Sequence, residues 1–309
     1  MPDPWTLPDT SAHEPTAIAD DIGGMNPALD AESALLSVLR VAPIELVGRI
    51  TGASNVALLA TATVPEGAEL PGVAESEASL HVIYKPIRGE RPLWDFPDGT
   101  LAGREVASFQ VARHLGVGIV PPTVLRDGPL GPGSVQVWIG DPFSSEDLPS
   151  PVSLVARGKV PAGYLPVVDG QLADGRWVSV VHEDHDDVRD AALLDAVLNN
   201  SDRKGSHLVR DTNGRLWGFD HGLTLHADPK LRTVLWGWAG DPLRPLDVDR
   251  LSTLAADLER PDSPLRLALA GLLPVGDLSA LRDRVDGLLA GGRYPQPSGE
   301  WPAIPWPAL

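Results

Sequence analysis

Two carboxylates eighteen positions apart are the residues of this chain best placed to do chemistry. Asp202 lies in Asn199-Asn200-Ser201-Asp202-Arg203-Lys204-Gly205-Ser206-His207, and Asp220 in Gly218-Phe219-Asp220-His221-Gly222. Between them, His207 to Arg210 and Leu216 to Phe219 read as short strands, joined by Asp211-Thr212-Asn213-Gly214. That tetrapeptide is a strong hairpin signal. A hairpin of this length brings Asp202 and Asp220 to the same end, with Lys204 beside them. Hard oxygen ligands suit magnesium, and a transferred phosphoryl group needs positive charge nearby. The chemistry implied is that of ATP with magnesium.

A hairpin alone cannot hold a nucleotide, so the upstream elements must supply the rest. Gly48-Arg49-Ile50-Thr51-Gly52-Ala53-Ser54-Asn55 reads as a turn between two strands spanning 44–64. Its backbone N–H groups could cover phosphate oxygens, with Gly52, Ser54 and Asn55 at the contact. Lys85 ends the strand Leu80-His81-Val82-Ile83-Tyr84-Lys85, whose alternation puts Leu80, Val82 and Tyr84 on one face and His81, Ile83 and Lys85 on the other. A lysine held there needs a carboxylate partner. Glu105, on an amphipathic helix expected over 100–115, is the first choice, and Glu90 the second. Strands at 123–126 and 134–139 follow. Backbone groups at Val137 to Ile139 are expected to meet an adenine edge.

The remaining segments are simpler. Residues 1–27 read as a disordered arm and Asp30 as the cap of a helix through Arg40. Residues 141–180 read as loops with short strands, and 187–199 as a helix leading into the Asp202 loop. The stretch 226–290 is expected to be mostly helical. The Pro-rich tail, 291–309, is expected to be extended and docked back by its tryptophans. His182 and His185 raise a rival zinc site, but Glu183, Asp184, Asp186 and Asp187 around them favour a solvated acidic loop before a helix. Trp217, Trp236 and Trp238 are read as core.

With these residues in place, the chain resembles kinases. An Asp, a Lys two positions later and a second Asp before a Gly match Asp202, Lys204 and Asp220 to Gly222. The wording "NNSDRKGSHLV" and "GFDHGLTLHADPKLRTVLWGWAGDPL" is similar to the catalytic and metal-binding segments of type II phosphatidylinositol 4-kinases and the HipA-like branch of the phosphatidylinositol 3-/4-kinase-like family. An actinobacterial member of that branch is the reading. The resemblance implies an α+β, two-lobed protein-kinase-like fold, with a small β-rich N-lobe over 28–140 and a mostly helical C-lobe over 141–290. It also implies roles. Asp202 orients the acceptor hydroxyl and Lys204 steadies the transferred group. Lys85, paired with Glu105, holds the phosphates, and Asp220 and His207 hold the metal. His207 stands where the family has Asn, and imidazole prefers softer ions than magnesium, so manganese enters as an option. The implied activity is ATP-dependent phosphoryl transfer to an unidentified hydroxyl. The alternatives are nucleotide binding without turnover, or transfer of AMP.

Composition narrows the partners. The 309 residues hold 25 Lys plus Arg against 42 Asp plus Glu, a formal charge of -17. That balance argues against nucleic acid and against anionic membrane surfaces. It makes a soluble metabolite or protein hydroxyl a better acceptor than a lipid. The chain has no cysteine, hence no thiolate metal site. The first residues lack the basic start and apolar run of a signal peptide, and no apolar stretch spans a bilayer. The expected location is the cytoplasm. High Pro and Gly (31 each) suggest a GC-rich bacterial source.

Overall fold

The structure is a computed structural model that describes residues 27–50, 55–65, 79–91, 93, 96, 100–299 and 302–309. The expected arm lies outside these residues, apart from Pro27. That proline opens α1 (Pro27–Val41), so Asp30 falls inside the first turn rather than at the cap.

Strands β1 (Ile44–Arg49), β2 (Leu58–Thr63), β3 (Ser79–Pro86), β4 (Thr123–Gly128) and β5 (Gly131–Val137) form one antiparallel sheet in the order β1-β2-β3-β5-β4. The alternation of β3 is as the sequence implies. Leu80, Val82 and Tyr84 are buried, while His81, Ile83 and Lys85 lie half-buried on the other face. Gly133 on β5 lets the neighbouring strand close, since a Cβ there would sit 2.4 Å from the Lys85 carbonyl oxygen.

Helix α2 (Leu101–His114) departs from the amphipathic expectation. Eleven of its fourteen residues are buried, including Arg104, Glu105 and Ser108. A surface helix shows one apolar stripe; α2 instead packs against β4 and β5 on one side and against helices on the other.

Residues 141–180 were expected to be loops with short strands. They contribute most of a three-stranded antiparallel sheet, order β6-β8-β7, from β6 (Val152–Ala156), β7 (Tyr164–Gln171) and β8 (Trp177–Glu183). Pro166 hid β7, but β7 is an edge strand, where a missing N–H is tolerated. The β7–β8 turn carries Asp174-Gly175 with Gly175 at φ +86°, a signal present in the sequence.

Helix α3 (Asp186–Leu198) leads into the Asp202 loop, and β9 (Leu208–Arg210) pairs with β10 (Leu216–Gly218) in the expected hairpin. Regular helix resumes only at Pro245, later than expected: α4 (Pro245–Glu259), α5 (Pro264–Ala270) and α6 (Val275–Gly291). Their buried faces, Leu251, Leu254, Leu281 and Val285, join Leu193, Leu194 and Leu198 of α3 in the core.

The tail docks, but through its backbone and aliphatic side chains. The Ala303 carbonyl accepts from Thr233 N–H (3.0 Å) and Trp236 Nε1–H (2.9 Å), and the Ala308 carbonyl accepts from Gly205 N–H (2.8 Å). Ile304 packs on the core, whereas Trp306 is 87% exposed. Trp301 lies outside the described residues. No helix among the described residues is long and apolar enough to cross a membrane.

Candidate functional site

The hairpin register sets Leu208 opposite Gly218, so the chain before β9 and the chain after β10 emerge side by side. His207 and Asp220 meet at that end, with His207 Nε2 at 3.6 Å from Asp220 Oδ2. Lys85 reaches in from β3. Its Nζ lies 3.0 Å from Asp220 Oδ1 and also contacts Glu105 Oε1. Asp202 Oδ2 pairs with Lys204 Nζ at 2.9 Å. Asn55, Lys85, Glu105, Asp202, Lys204, His207 and Asp220 line one cavity of about 250 Å³. The fold therefore brings together groups up to 165 positions apart in the chain, from Asn55 to Asp220.

Other expected contacts fall elsewhere. Gly52 and Ser54 lie outside the described residues. Val137 N–H donates to the Pro122 carbonyl (3.1 Å), so it is engaged within the fold. Ile139 lines a separate hollow of about 800 Å³ with Ser206, Val209, Phe219 and Leu309. The segments around 205–209 and 219–220 thus contribute walls to both spaces. Glu90 is not the partner of Lys85. Its carboxylate accepts from Leu101 N–H (3.2 Å) and Ala102 N–H (2.8 Å), capping α2.

Charge holds the Lys85 cluster in its ionised form. Burial alone would lower the Lys85 ammonium, but Asp220 and then Glu105 raise it above its ordinary value. The Lys85 ammonium in turn holds the Asp220 carboxyl well below the usual carboxylate range. Asp220 has φ +61°, a left-handed backbone that Asp tolerates better than most residues. Its neighbours fix it there. The Phe219 carbonyl accepts from Arg203 Nη1 (3.0 Å), and His221 N–H donates to Glu105 Oε2 (3.0 Å).

Beneath the cavity lies a buried network that the sequence reading missed. Arg203, fully buried, donates from Nε to both carboxylate oxygens of Asp195 (3.1 Å each) and from Nη2 to His221 Nε2 (2.7 Å). Asp195 also accepts from Asn200 Nδ2 (2.9 Å) and Thr233 Oγ1 (2.9 Å). One signal was available: Asp195 interrupts the apolar run Ala191-Ala192-Leu193-Leu194-Asp195-Ala196-Val197-Leu198, and a buried carboxylate demands a partner. Burial, then Arg203, pushes the His221 pKa far down, so its ring is neutral and packed.

His182 and His185 do not share a site. His182 is buried in β8, its Nε2 accepting from Gly237 N–H (3.0 Å), while the exposed His185 caps α3 and contacts Asp187. Trp238 is buried, and Trp217 and Trp236 are half-buried. Among the described residues, no group of three or more His, Cys, Asp or Glu side chains is arranged to hold a metal by itself.

No protein-family model matches the sequence. The chain is 43% identical over 278 residues to Protein Rv2133c of Mycobacterium tuberculosis, an overlap of 88% of this chain and 95% of that protein. Among solved structures, the Helicobacter pylori proinflammatory kinase CtkA overlaps 83% of this chain and 94% of its own, at a TM-score of 0.37 and 11% identity.

Proposed function

We propose, for a chain that belongs to the same family as Protein Rv2133c, that the cavity binds ATP with magnesium and passes the terminal phosphoryl group to a hydroxyl acceptor. The observation that carries this reading is the chain of contacts Glu105–Lys85–Asp220, closed onto the cavity that also receives Asp202 and Lys204. A cation clamped between two carboxylates, one buried and one 56% exposed, is well placed to meet phosphate oxygens.

The donor set fits magnesium through Asp220. Magnesium takes one or two carboxylates and fills its shell with phosphate oxygens and water, so a three-residue cage is not needed. When bound, it would neutralise charge on those oxygens. His207 fits less well as a ligand. Its Nδ1 makes a long contact, 3.5 Å, with Lys204 N–H, which leaves the proton on Nε2 facing Asp220. We assign His207 as a hydrogen-bond donor to phosphate. Burial lowers its pKa, so the ring donates while neutral.

The other roles follow from position. Lys85 contacts the phosphates that stay with the nucleotide, Lys204 steadies the one that moves, and Asp202 orients the acceptor hydroxyl and takes its proton. The 800 Å³ hollow, lined by Ile139, Val209 and Phe219 among others, would take the base. In this reading the β1–β5 sheet and the helices after α3 are the two lobes of a kinase-like fold. A formal charge of -17 favours a soluble metabolite or protein hydroxyl over an anionic lipid.

A ligand that binds only the native state raises the melting temperature by mass action, ~2.7 kcal/mol of stability at 100 times its Kd. Mg-ATP is expected to stabilise the wild-type chain and to lose that effect in both Lys85→Ala and Asp220→Ala. A thermal shift that persists in both variants would reject the site. Label carried to product from γ-labelled ATP identifies phosphoryl transfer, whereas label carried from α-labelled ATP identifies nucleotidyl transfer.

A further inference from the structure

We infer that Arg104 and Asp277 form a latch that fixes α2 to the carboxy-terminal helices and thereby holds Glu105 on Lys85. The inference rests on the proposed nucleotide site for the purpose of the Glu105–Lys85 pair, but the latch itself is a matter of protein contacts. Arg104 is 3% exposed. Its Nη2 donates to Asp277 Oδ2 in the first turn of α6 (2.5 Å), and its Nη1 donates to the Thr224 carbonyl (2.7 Å). The guanidinium also stacks over the Phe96 ring, 4.9 Å from its centroid.

Three parts of the molecule meet at this one side chain: α2, α6 and the segment 220–224 that carries Asp220. Arginine suits the task because its donors form a rigid planar fork. Neighbouring positions on α2 extend the attachment. Ser108 Oγ lies 2.9 Å from Thr224 Oγ1, and Thr224 Oγ1 donates to the His221 carbonyl (2.8 Å). A Cβ on Gly103 would sit 2.7 Å from the Leu272 carbonyl oxygen, so α2 and the turn before α6 are in direct contact. Rotating α2 by one residue, about 100° at 3.6 residues per turn, would break these bonds together and carry Glu105 away from Lys85.

A buried ion pair is a poor way to gain stability, because desolvating both charges offsets their attraction, and apolar replacements of similar volume often do as well. What such a pair supplies here is direction. Arg104 is therefore a positioning residue, acting through Glu105.

The test separates position from stability. Arg104→Met and Asp277→Leu each leave one buried charge unpaired and are expected to lower the melting temperature. The double variant Arg104→Met/Asp277→Leu is expected to recover most of it. Lys85 should not recover with it. Once Glu105 no longer covers it, its amine is expected to be acylated faster than in the wild type, with exposed Lys159 as internal reference, and Mg-ATP affinity is expected to fall about tenfold, the size of one lost contact to a charged group. Faster acylation without any Mg-ATP binding by the wild type would uphold the latch and overturn the nucleotide reading instead. A refolded double variant whose Lys85 reacts at the wild-type rate would overturn the latch.

Discussion

At the scale of single residues, His207 separates the readings of this site. It stands five positions after Asp202 and faces Asp220 across 3.6 Å. A metal ligand needs a bare ring nitrogen there, whereas a phosphate donor needs N–H. The contact between Nδ1 and Lys204 N–H supports the second. His207→Asn is then expected to lower turnover at least tenfold, the size of one lost hydrogen bond to a charged group at ~1.5–3 kcal/mol, and to leave metal preference unchanged. Turnover in magnesium and manganese, measured side by side, checks this. A shift from manganese towards magnesium in His207→Asn would restore the ligand role, because an amide oxygen is the harder donor.

At the scale of elements, α2 shows what the sequence could and could not convey. Its existence, its limits and Glu105 as first choice for Lys85 were legible, the last because the kinase resemblance asks for a carboxylate on the helix after the lysine strand. Its burial was not. Arg104, Glu105 and Ser108 look like a polar face in one dimension, and only the folded chain brings Asp277, His221 and Thr224 to meet them. The β6–β8–β7 sheet was legible only as short strands among loops, for the converse reason: proline and glycine at an edge strand imitate a loop. Glu90, the second choice as partner of Lys85, has a different duty. Thr100, at φ +66°, makes no side-chain cap for α2, and Glu90 reaches the first helical N–H groups in its place. Glu90→Ala is expected to lower stability by about 1 kcal/mol, as for other lost N-caps, with Glu90→Gln retaining the acceptor and most of the stability. Urea unfolding of the two variants measures the difference. Equal stability of Glu90→Ala and wild type would remove the cap from the account.

At the scale of the whole molecule, three of the described histidines are held neutral by the fold. His182 is held by Gly237 N–H and the Glu183 carbonyl, His221 by Arg203, and His207 between Lys204 and Asp220. Burial is the largest cause of each lowered pKa. The sign follows from proton counting. Below the unfolded value of about 6.5, the unfolded chain takes up protons that the folded chain refuses, so stability falls as pH falls. Each histidine contributes a slope approaching ~1.4 kcal/mol per pH unit once its unfolded form is protonated. A net charge of -17 works the other way, since protonating carboxylates relieves repulsion, but that relief waits until about pH 4, where carboxylates titrate. Asp220, with its lowered pKa, likewise loses its contribution only in that acid range. Between pH 7.5 and 5.5 the histidines therefore decide. Urea unfolding across that window is expected to show stability declining steadily below pH 6.5. The decline should be shallower in His182→Gln, which removes one of the three titrating rings. A flat profile in the wild type, or an equal slope in the variant, would show that these rings protonate without opening the fold.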